Sequence, residues 1–393
     1  MFGVLEGTGV ATYADVLARC LVHAGAVPVI LNDQPQSGGG RRSRAARWLS
    51  ALDPRARLAR MQHLPLAADQ PKYTTTGHVE PGDIFREAQV FFTLHGRLMP
   101  VVCVDPPQVM HWTYPVPLYV QGARNLYTVH DVIPLSHPEL TPISRSRHDR
   151  LLRLIAAQAD GLVTVSESAR RAVIAQLGCN PAAVFNTYQA VLDAPDSRAD
   201  ALPNGLTPGG YFLFCGTVER RKNLAALVKA HAKAKTGMPL VIAGPVAPGH
   251  AALEARLRAA PGVIRLEWQP RDALIGLMRD ARALLFPSLV EGFGLPVAEA
   301  MSLGVPVMTS DHGALAEIAG GAARLVDPGS GSDMVNAIKA LAGDDLLCAR
   351  LKAAGLERAR LFSPHAYGQR LHDLYSSVLG VARPTPRTAA AHA

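Results

Sequence analysis

Residues 286–307 read FPSLVEGFGLPVAEAMSLGVPV. They leave an apolar strand, pass through a glycine-rich loop into a helix, and emerge in another apolar strand. Glu291 lies in the loop, and Glu299 follows eight residues later, just inside the predicted helix. Gly292 and Gly294 let backbone N–H groups approach a ligand, and the helix N-terminus after Pro296 adds partial positive charge, so a phosphate fits there. Two carboxylates beside a phosphate would repel it. They suit hydrogen bonds from a polyhydroxyl group, a sugar or a ribose, and the combination points to a nucleotide sugar. By chemistry alone the stretch is equally a plain loop entering a helix, with Glu299 favourable to the dipole of the first turn.

A second segment, YFLFCGTVERRKNLAALVKAH from Tyr211 to His231, reads as a buried strand, a turn and an amphipathic helix. Leu224, Leu227 and Val228 recur at helical spacing, and Arg221 and Lys222 fall at a predicted exposed turn where the helix begins. Cations at a helix N-terminus oppose its dipole, which suggests an anionic partner. The alternative is a surface charge cluster in which Glu219 pairs with either cation.

The run E-G-F-G-L-P-x-x-E-A followed by G-V-P-V resembles the Glu-x7-Glu signature of the retaining GT-B glycosyltransferases of family 4, also called group 1. Gly216, Thr217, Arg221, Lys222 and Asn223 resemble the same family's G-T-x-x-x-R-K-N phosphate grip, although many relatives have Arg where Thr217 stands. This resemblance implies two Rossmann-like doubly wound domains facing a central cleft, and transfer of a hexose from a nucleoside diphosphate sugar with retention of configuration. It implies that Glu291 binds the sugar hydroxyls and Glu299 the ribose. Arg221, Lys222 and the amides around Gly294 would stabilise charge on the departing diphosphate. Gly216, Gly292, Phe293 and Leu295 join the donor-binding set. Motif and spacing place no second carboxylate at the anomeric carbon, unlike the pair of a retaining glycosidase. Front-face attack, with the leaving phosphate taking the acceptor proton, is the family's usual explanation.

At 393 residues and 48% hydrophobic content, the chain is long enough for two sizeable cores. Short apolar runs bounded by turn residues, NLYTVHDVIPL, GLVTVS, YFLFCG, PLVIAGP, ALLFPS and GVPVMTS, predict buried parallel strands, and hence an α/β, doubly wound fold. No apolar run reaches the roughly 18 residues of a membrane span, and Glu6 with no basic n-region argues against export. Five cysteines without C-x-x-C spacing fit a reduced cytoplasm. The chain shows no D-x-D cluster in a plausible loop and no His or Cys metal spacing, so no metal or other cofactor is expected.

The composition divides the chain into a first domain, 1–195; a linker, 196–210; a second domain, 211–362; a helix, 363–380, which the resemblance returns to the first domain; and a disordered tail, 381–393. Ser363 is the expected N-cap of that helix, with Pro364 at its first position.

In the first domain, YTVHDVIP puts His130 and Asp131 at the C-terminal end of a predicted strand, the edge where open α/β sheets bind ligands. Local hydrogen bonding at a loop start explains them as well. The resemblance makes His130 a sugar contact from the opposite domain. Ser166 and Glu167 read as a helix cap without chemistry. GTGVATY, from Gly7 to Tyr13, resembles the family's Gly-rich turn before the first helix, with Gly9 as the close-approach residue. A dinucleotide fingerprint is the rival reading, but the third glycine is missing and Met1 to Glu6 is short for a first strand, a shortness that a start upstream of Met1 would explain.

The net charge of +8 is uneven, with seven arginines between Arg41 and Arg60 around Trp48, Leu49 and Leu52. No stacking platform accompanies them, so nucleic acid is not expected. A peripheral site on the anionic inner membrane leaflet is, with a solvated loop as the alternative. MHWTYPVPLY, with His111, Trp112, Tyr114 and Tyr119, lines an acceptor groove or packs a core. Gly244 and Pro245 and the region Glu267 to Arg271 resemble loops that hold a nucleobase through backbone atoms. MHWTYPVP and HDVIPL resemble mannosyltransferases of bacterial polysaccharide assembly, which makes GDP-mannose the first donor expected and a polyprenyl-diphosphate-linked saccharide the acceptor. The rival functions are a non-catalytic nucleotide-sugar-binding subunit and a GT-B sugar-nucleotide epimerase.

Overall fold

The computed structural model describes residues 9–31, 44–55, 57–59, 62–63, 84–192, 202–203 and 205–380. Met1 to Thr8, Arg41, Arg42, Arg60, residues 196–201 and 204 of the predicted linker and the tail 381–393 lie outside the described residues.

The first half carries β1 (Val29–Ile30), β2 (Arg57–Ala59), β3 (Gln62–His63), β4 (Met99–Cys103), β5 (Val109–Trp112), β6 (Leu118–Val120), β7 (Arg124–Thr128), β8 (Gly161–Thr164) and β9 (Val184–Asn186). The second half carries β10 (Phe212–Cys215), β11 (Leu240–Ala243), β12 (Val263–Leu266), β13 (Ala283–Phe286), β14 (Val307–Ser310) and β15 (Arg324–Val326). All six apolar runs of the sequence hold a strand. In the second half the order is β12-β11-β10-β13-β14-β15 and every pairing is parallel. Every residue of β10, β11, β13 and β14 is buried, as a sheet covered by helices on both faces requires, while the edge strand β12 is only partly buried. The chain reverses its direction of travel across the sheet between β10 and β13, and such a reversal opens a crevice at the strands' carboxyl ends. In the first half β5-β7-β8-β9 and β2-β4-β6 are parallel, and β1 pairs with β3 antiparallel.

MHWTYPVPLY is core. It contributes the end of β5 and most of β6; Trp112 is 3% exposed, stacks on Tyr127 at 6.0 Å and donates to Asn125 Oδ1 at 3.1 Å. The arginine cluster also divides. Helix Arg44–Leu52 leaves Trp48, Leu49 and Leu52 exposed, but Arg57 turns inward, where its Nε lies 2.6 Å from the buried Glu87 carboxylate. A guanidinium held this way anchors strand β2 and does not serve a membrane surface.

Helix Pro364–Leu379 begins where Ser363 accepts from the Ala366 N–H at 3.2 Å. It packs along the first helix, Gly9–Cys20, and places Leu374 against Leu126 and Val163 of the first-half sheet. Such a fully buried Leu contributes about 2 kcal/mol. A buried polar chain runs beside it. The Tyr375 hydroxyl meets His111 Nδ1 at 2.8 Å, His111 Nε2 meets Thr128 Oγ1 at 2.8 Å, Tyr13 reaches Thr128 at 3.0 Å, and Tyr367 reaches Tyr13 at 3.2 Å.

Burial, with the neighbouring His130, pushes the His111 imidazole down to about 3. An unfolded His titrates near about 6.5, so between those values the unfolded chain holds a proton that the folded one refuses. Stability therefore rises with pH through this window and is lost as pH falls, by about 1.4 kcal/mol per unit from this one group. Burial lowers His130 and His148 as well, which adds to the trend. His111→Gln should flatten the dependence of the urea midpoint on pH across the window, and unchanged slopes would count against His111 as the acid-sensitive group.

Candidate active site

The loops that follow β10 and β13 meet at the reversal of strand order, and they carry the two motifs. Gly216 leaves β10 at φ +140°, and Gly244, at the end of β11, sits so close that a Cβ there would lie 2.2 Å from the Gly216 carbonyl oxygen. Only a glycine at position 244 allows this approach. The Gly244 N–H is directed at the Leu266 and Glu267 carbonyls at 3.2 Å, and Arg265 donates to the Gly244 carbonyl, so this backbone is already engaged inside the protein.

Arg221 and Lys222 sit in a 3-10 turn, Arg220–Lys222; Asn223 adopts φ +58°, and helix Leu224–Ala234 starts after it. The exposed turn expected for these cations is corrected here: Lys222 is 8% exposed, its Nζ lies 4.8 Å from the Phe286 ring centroid, and it donates to Glu291 Oε1 at 2.7 Å. Arg221 donates to the other oxygen of Glu291, and its second Nη reaches Glu219 at 2.6 Å. Asp131 lies within electrostatic reach of Arg221. Burial would push the Glu291 carboxyl up, but Lys222 and Arg221 outweigh it and hold the group below the usual carboxylate range.

Gly294, at φ +99°, precedes helix Leu295–Ser302, in whose interior Glu299 is 3% exposed. Burial pushes its carboxyl up, and Arg271 Nη1 at 2.6 Å offsets this in part. Phe293 is turned inward, edge-on to Phe362 at 5.4 Å, which leaves only its backbone to face a ligand. Leu295 is partly buried against the core.

From the first half, His130 follows β7 and holds its Nε2 2.9 Å from the Thr113 carbonyl, which fixes the Nε2–H tautomer. The Tyr13 ring lies edge-on at 4.7 Å, and burial keeps the imidazole below its ordinary pKa, hence neutral near pH 7. Gly9 stands at the first position of helix Gly9–Cys20, not in a turn before it, and Gly7 and Thr8 lie outside the described residues.

The two halves touch at the glycine-rich loop. A Cβ on Gly292 would lie 2.3 Å from the His130 carbonyl oxygen, and the Gly292 carbonyl accepts from Ser166 Oγ at 2.7 Å. Ser166 also caps helix Glu167–Leu177 through the Ala169 N–H at 3.0 Å. The Glu317 carboxylate, from helix Gly313–Ala319 of the second half, accepts from the Glu167 and Ser168 N–H groups at 2.7 Å each. A carboxylate on a helix N-terminus is favourable by about 0.3–1 kcal/mol. Ser166 thus does more than the capping read from sequence, and no signal marks Glu317, which follows an unremarkable strand. Arg271 was legible only as part of a base-side loop. Gly292→Ala should force the halves apart at His130, with a lower kcat/KM and a larger radius of gyration in solution; a variant with wild-type values of both would show that the contact does not matter.

The family model for glycosyl transferases group 1 matches residues 209–344, the half that holds both motifs. O-antigen chain mannosyltransferase B of Escherichia coli is 32% identical over 254 residues, 61% of this chain and 67% of that protein. Serotype-specific mannosyltransferase WbdA of Escherichia coli is 28% identical over 258 residues; the match covers 61% of this chain but only 32% of WbdA. Among solved structures, WaaG, a glycosyltransferase involved in lipopolysaccharide biosynthesis, superposes with a TM-score of 0.55 at 17% identity, over 79% of this chain and 89% of its own. Sequence relationship, fold and the convergence of both motifs at one crevice agree: the chain is a GT-B protein and belongs to the group 1 glycosyltransferases.

Proposed function

We propose that this glycosyltransferase moves a hexose, mannose from GDP-mannose in the first instance, onto a growing saccharide in polysaccharide assembly, with retention of configuration. The observation that carries the proposal is the convergence of Arg221, Lys222, Glu291 and Glu299 at the reversal between β10 and β13. The mannosyltransferase relatives support the sugar. In this reading Lys222 and Arg221 neutralise the departing diphosphate, with the N–H groups at the start of helix Leu295–Ser302 beside them. Glu291 holds the sugar hydroxyls and Glu299 the ribose. His130, being neutral, offers hydrogen bonding to the sugar without adding charge. The acceptor is a polyprenyl-diphosphate-linked saccharide, met by a cytoplasmic enzyme at the inner leaflet. No helix among the described residues is long and apolar enough to cross a membrane.

A thermal-shift screen of UDP- and GDP-sugars tests the donor, because a ligand that binds only the native state raises its apparent stability. Lys222→Met keeps the stem over Phe286 and removes the charge. It should cut kcat/KM by roughly a hundredfold or more, the worth of about 3 kcal/mol of charge stabilisation in a closed site. Near-normal turnover would remove Lys222 from the reaction.

The docking face in this reading is helix Arg44–Leu52, where Trp48, Leu49 and Leu52 are 39%, 69% and 57% exposed. Arg41, Arg42, Arg44 and Arg47 supply the charge, at roughly 1 kcal/mol per basic residue near an anionic surface. Replacing these four by Gln should release the protein from anionic vesicles, as should added salt, while donor binding persists. Unchanged sedimentation with vesicles would place the docking face elsewhere.

A further inference from the structure

The seat prepared for a diphosphate already holds an anion. Each Glu291 oxygen is committed to a different cation, Oε1 to Lys222 at 2.7 Å and Oε2 to Arg221. In this pose the carboxylate is 9% exposed and both of its oxygens face cations. The charge inventory adds a constraint. Among the described residues the cations Arg221, Lys222 and Arg271 face the carboxylates Glu219, Glu291, Glu299 and Asp131, which leaves no net positive charge for a doubly ionised phosphate chain. A diphosphate can take the two cations only if a carboxylate gives them up. Glu219 contacts Arg221 alone, and Glu299 is held by Arg271, so Glu291 is the group that blocks both cations at once.

We infer that Glu291 is the resting occupant of the donor's phosphate seat: it neutralises Arg221 and Lys222 in the empty protein, leaves them when the diphosphate arrives, and by leaving becomes available to the sugar. The inference rests on the reading of these two loops as a donor site. The exchange is a rotation of one side chain and not a loop movement, because the backbone of the loop is pinned: the Gly292 carbonyl accepts from Ser166, Gly292 abuts the His130 backbone, and the Leu289 N–H donates to the Arg221 carbonyl at 2.9 Å. Specificity follows from the same exchange. A ligand with phosphates but no sugar leaves the displaced carboxylate without hydroxyl partners, whereas a complete nucleotide sugar satisfies it.

Calorimetry with inorganic pyrophosphate separates the possibilities. Glu291→Gln keeps the shape and removes the competing charge, so it should bind pyrophosphate at least about tenfold more tightly than the wild type, a gain of ~1.4 kcal/mol, even though sugar transfer falls. Glu291→Asp retains the charge on a stem one methylene shorter and should lie between the two, which guards against a Gln variant that folds poorly. Equal or weaker pyrophosphate binding in both variants would overturn the exchange. Lys222→Met serves as the separate test of the site itself. If it loses pyrophosphate while the Glu291 variants bind as the wild type does, the donor site stands and the exchange fails. If no form of the protein binds pyrophosphate, both fall.

Discussion

A charge removed from water must meet its opposite, and that demand shapes the crevice between β10 and β13. Lys222 is nearly buried beneath its own turn, and Glu291 is as buried on a loop 69 residues further along the chain. Either alone would be strongly destabilising, since removing one partner of a buried pair costs about 3–5 kcal/mol. Together they tie the two strand ends that parallel topology brings side by side. Gly244 serves this tie: a Cβ there would lie 2.2 Å from the Gly216 carbonyl oxygen, so the two strand ends pack only without a side chain at that position.

The same loop carries the contact between the halves. Gly292 follows Glu291 directly, so whatever positions the carboxylate also positions the surface that meets the His130 backbone and Ser166. Glu317 adds a second crossing at the N-terminus of helix Glu167–Leu177. A third lies at the chain crossing, where the Val191 N–H donates to the Phe362 carbonyl at 2.8 Å and Arg370 donates to the Thr187 carbonyl at 2.6 Å. Two of these contacts lie at the crevice and one at the crossing.

The second half was legible because its strands are short, wholly buried and punctuated by glycine, and because its chemistry lies in two contiguous motifs. Periodicity and turn residues were enough to find β10, β11, β13 and β14. The strands missed were β1 to β6, β9, β12 and β15. β12 and β15 are edges with exposed or charged positions such as Arg265 and Arg324, and β5 and β6 hide in an aromatic stretch whose polar atoms are satisfied internally by Asn125 and Thr128. Pairing across the fold was not legible at all. Nothing local distinguishes Arg57, which reaches a buried Glu87, from the exposed Arg55 beside it, and nothing in the spacing shows that Glu291 faces both cations.

The halves differ in how they handle charge, and this bears on what each can do. In the second half, cations and carboxylates crowd one crevice; Lys222 and Arg221 hold Glu291 ionised, whereas burial raises Glu299 and Arg271 offsets this only in part. In the first half the buried titratable groups nearest that crevice are kept neutral: burial lowers His130 and His111 and raises Tyr13. A neutral imidazole can hydrogen-bond a hydroxyl without disturbing a charge balance that is already tight, whereas an imidazolium there would compete with Lys222 and Arg221 for the same anion. The Thr113 carbonyl that fixes the His130 tautomer, and the Tyr13 ring that packs against its edge, therefore matter electrostatically as well as sterically. They keep His130 itself neutral in a crevice whose charges include Asp131 of the first half, so the imidazole can act by shape and hydrogen bonding while the cations bear negative charge.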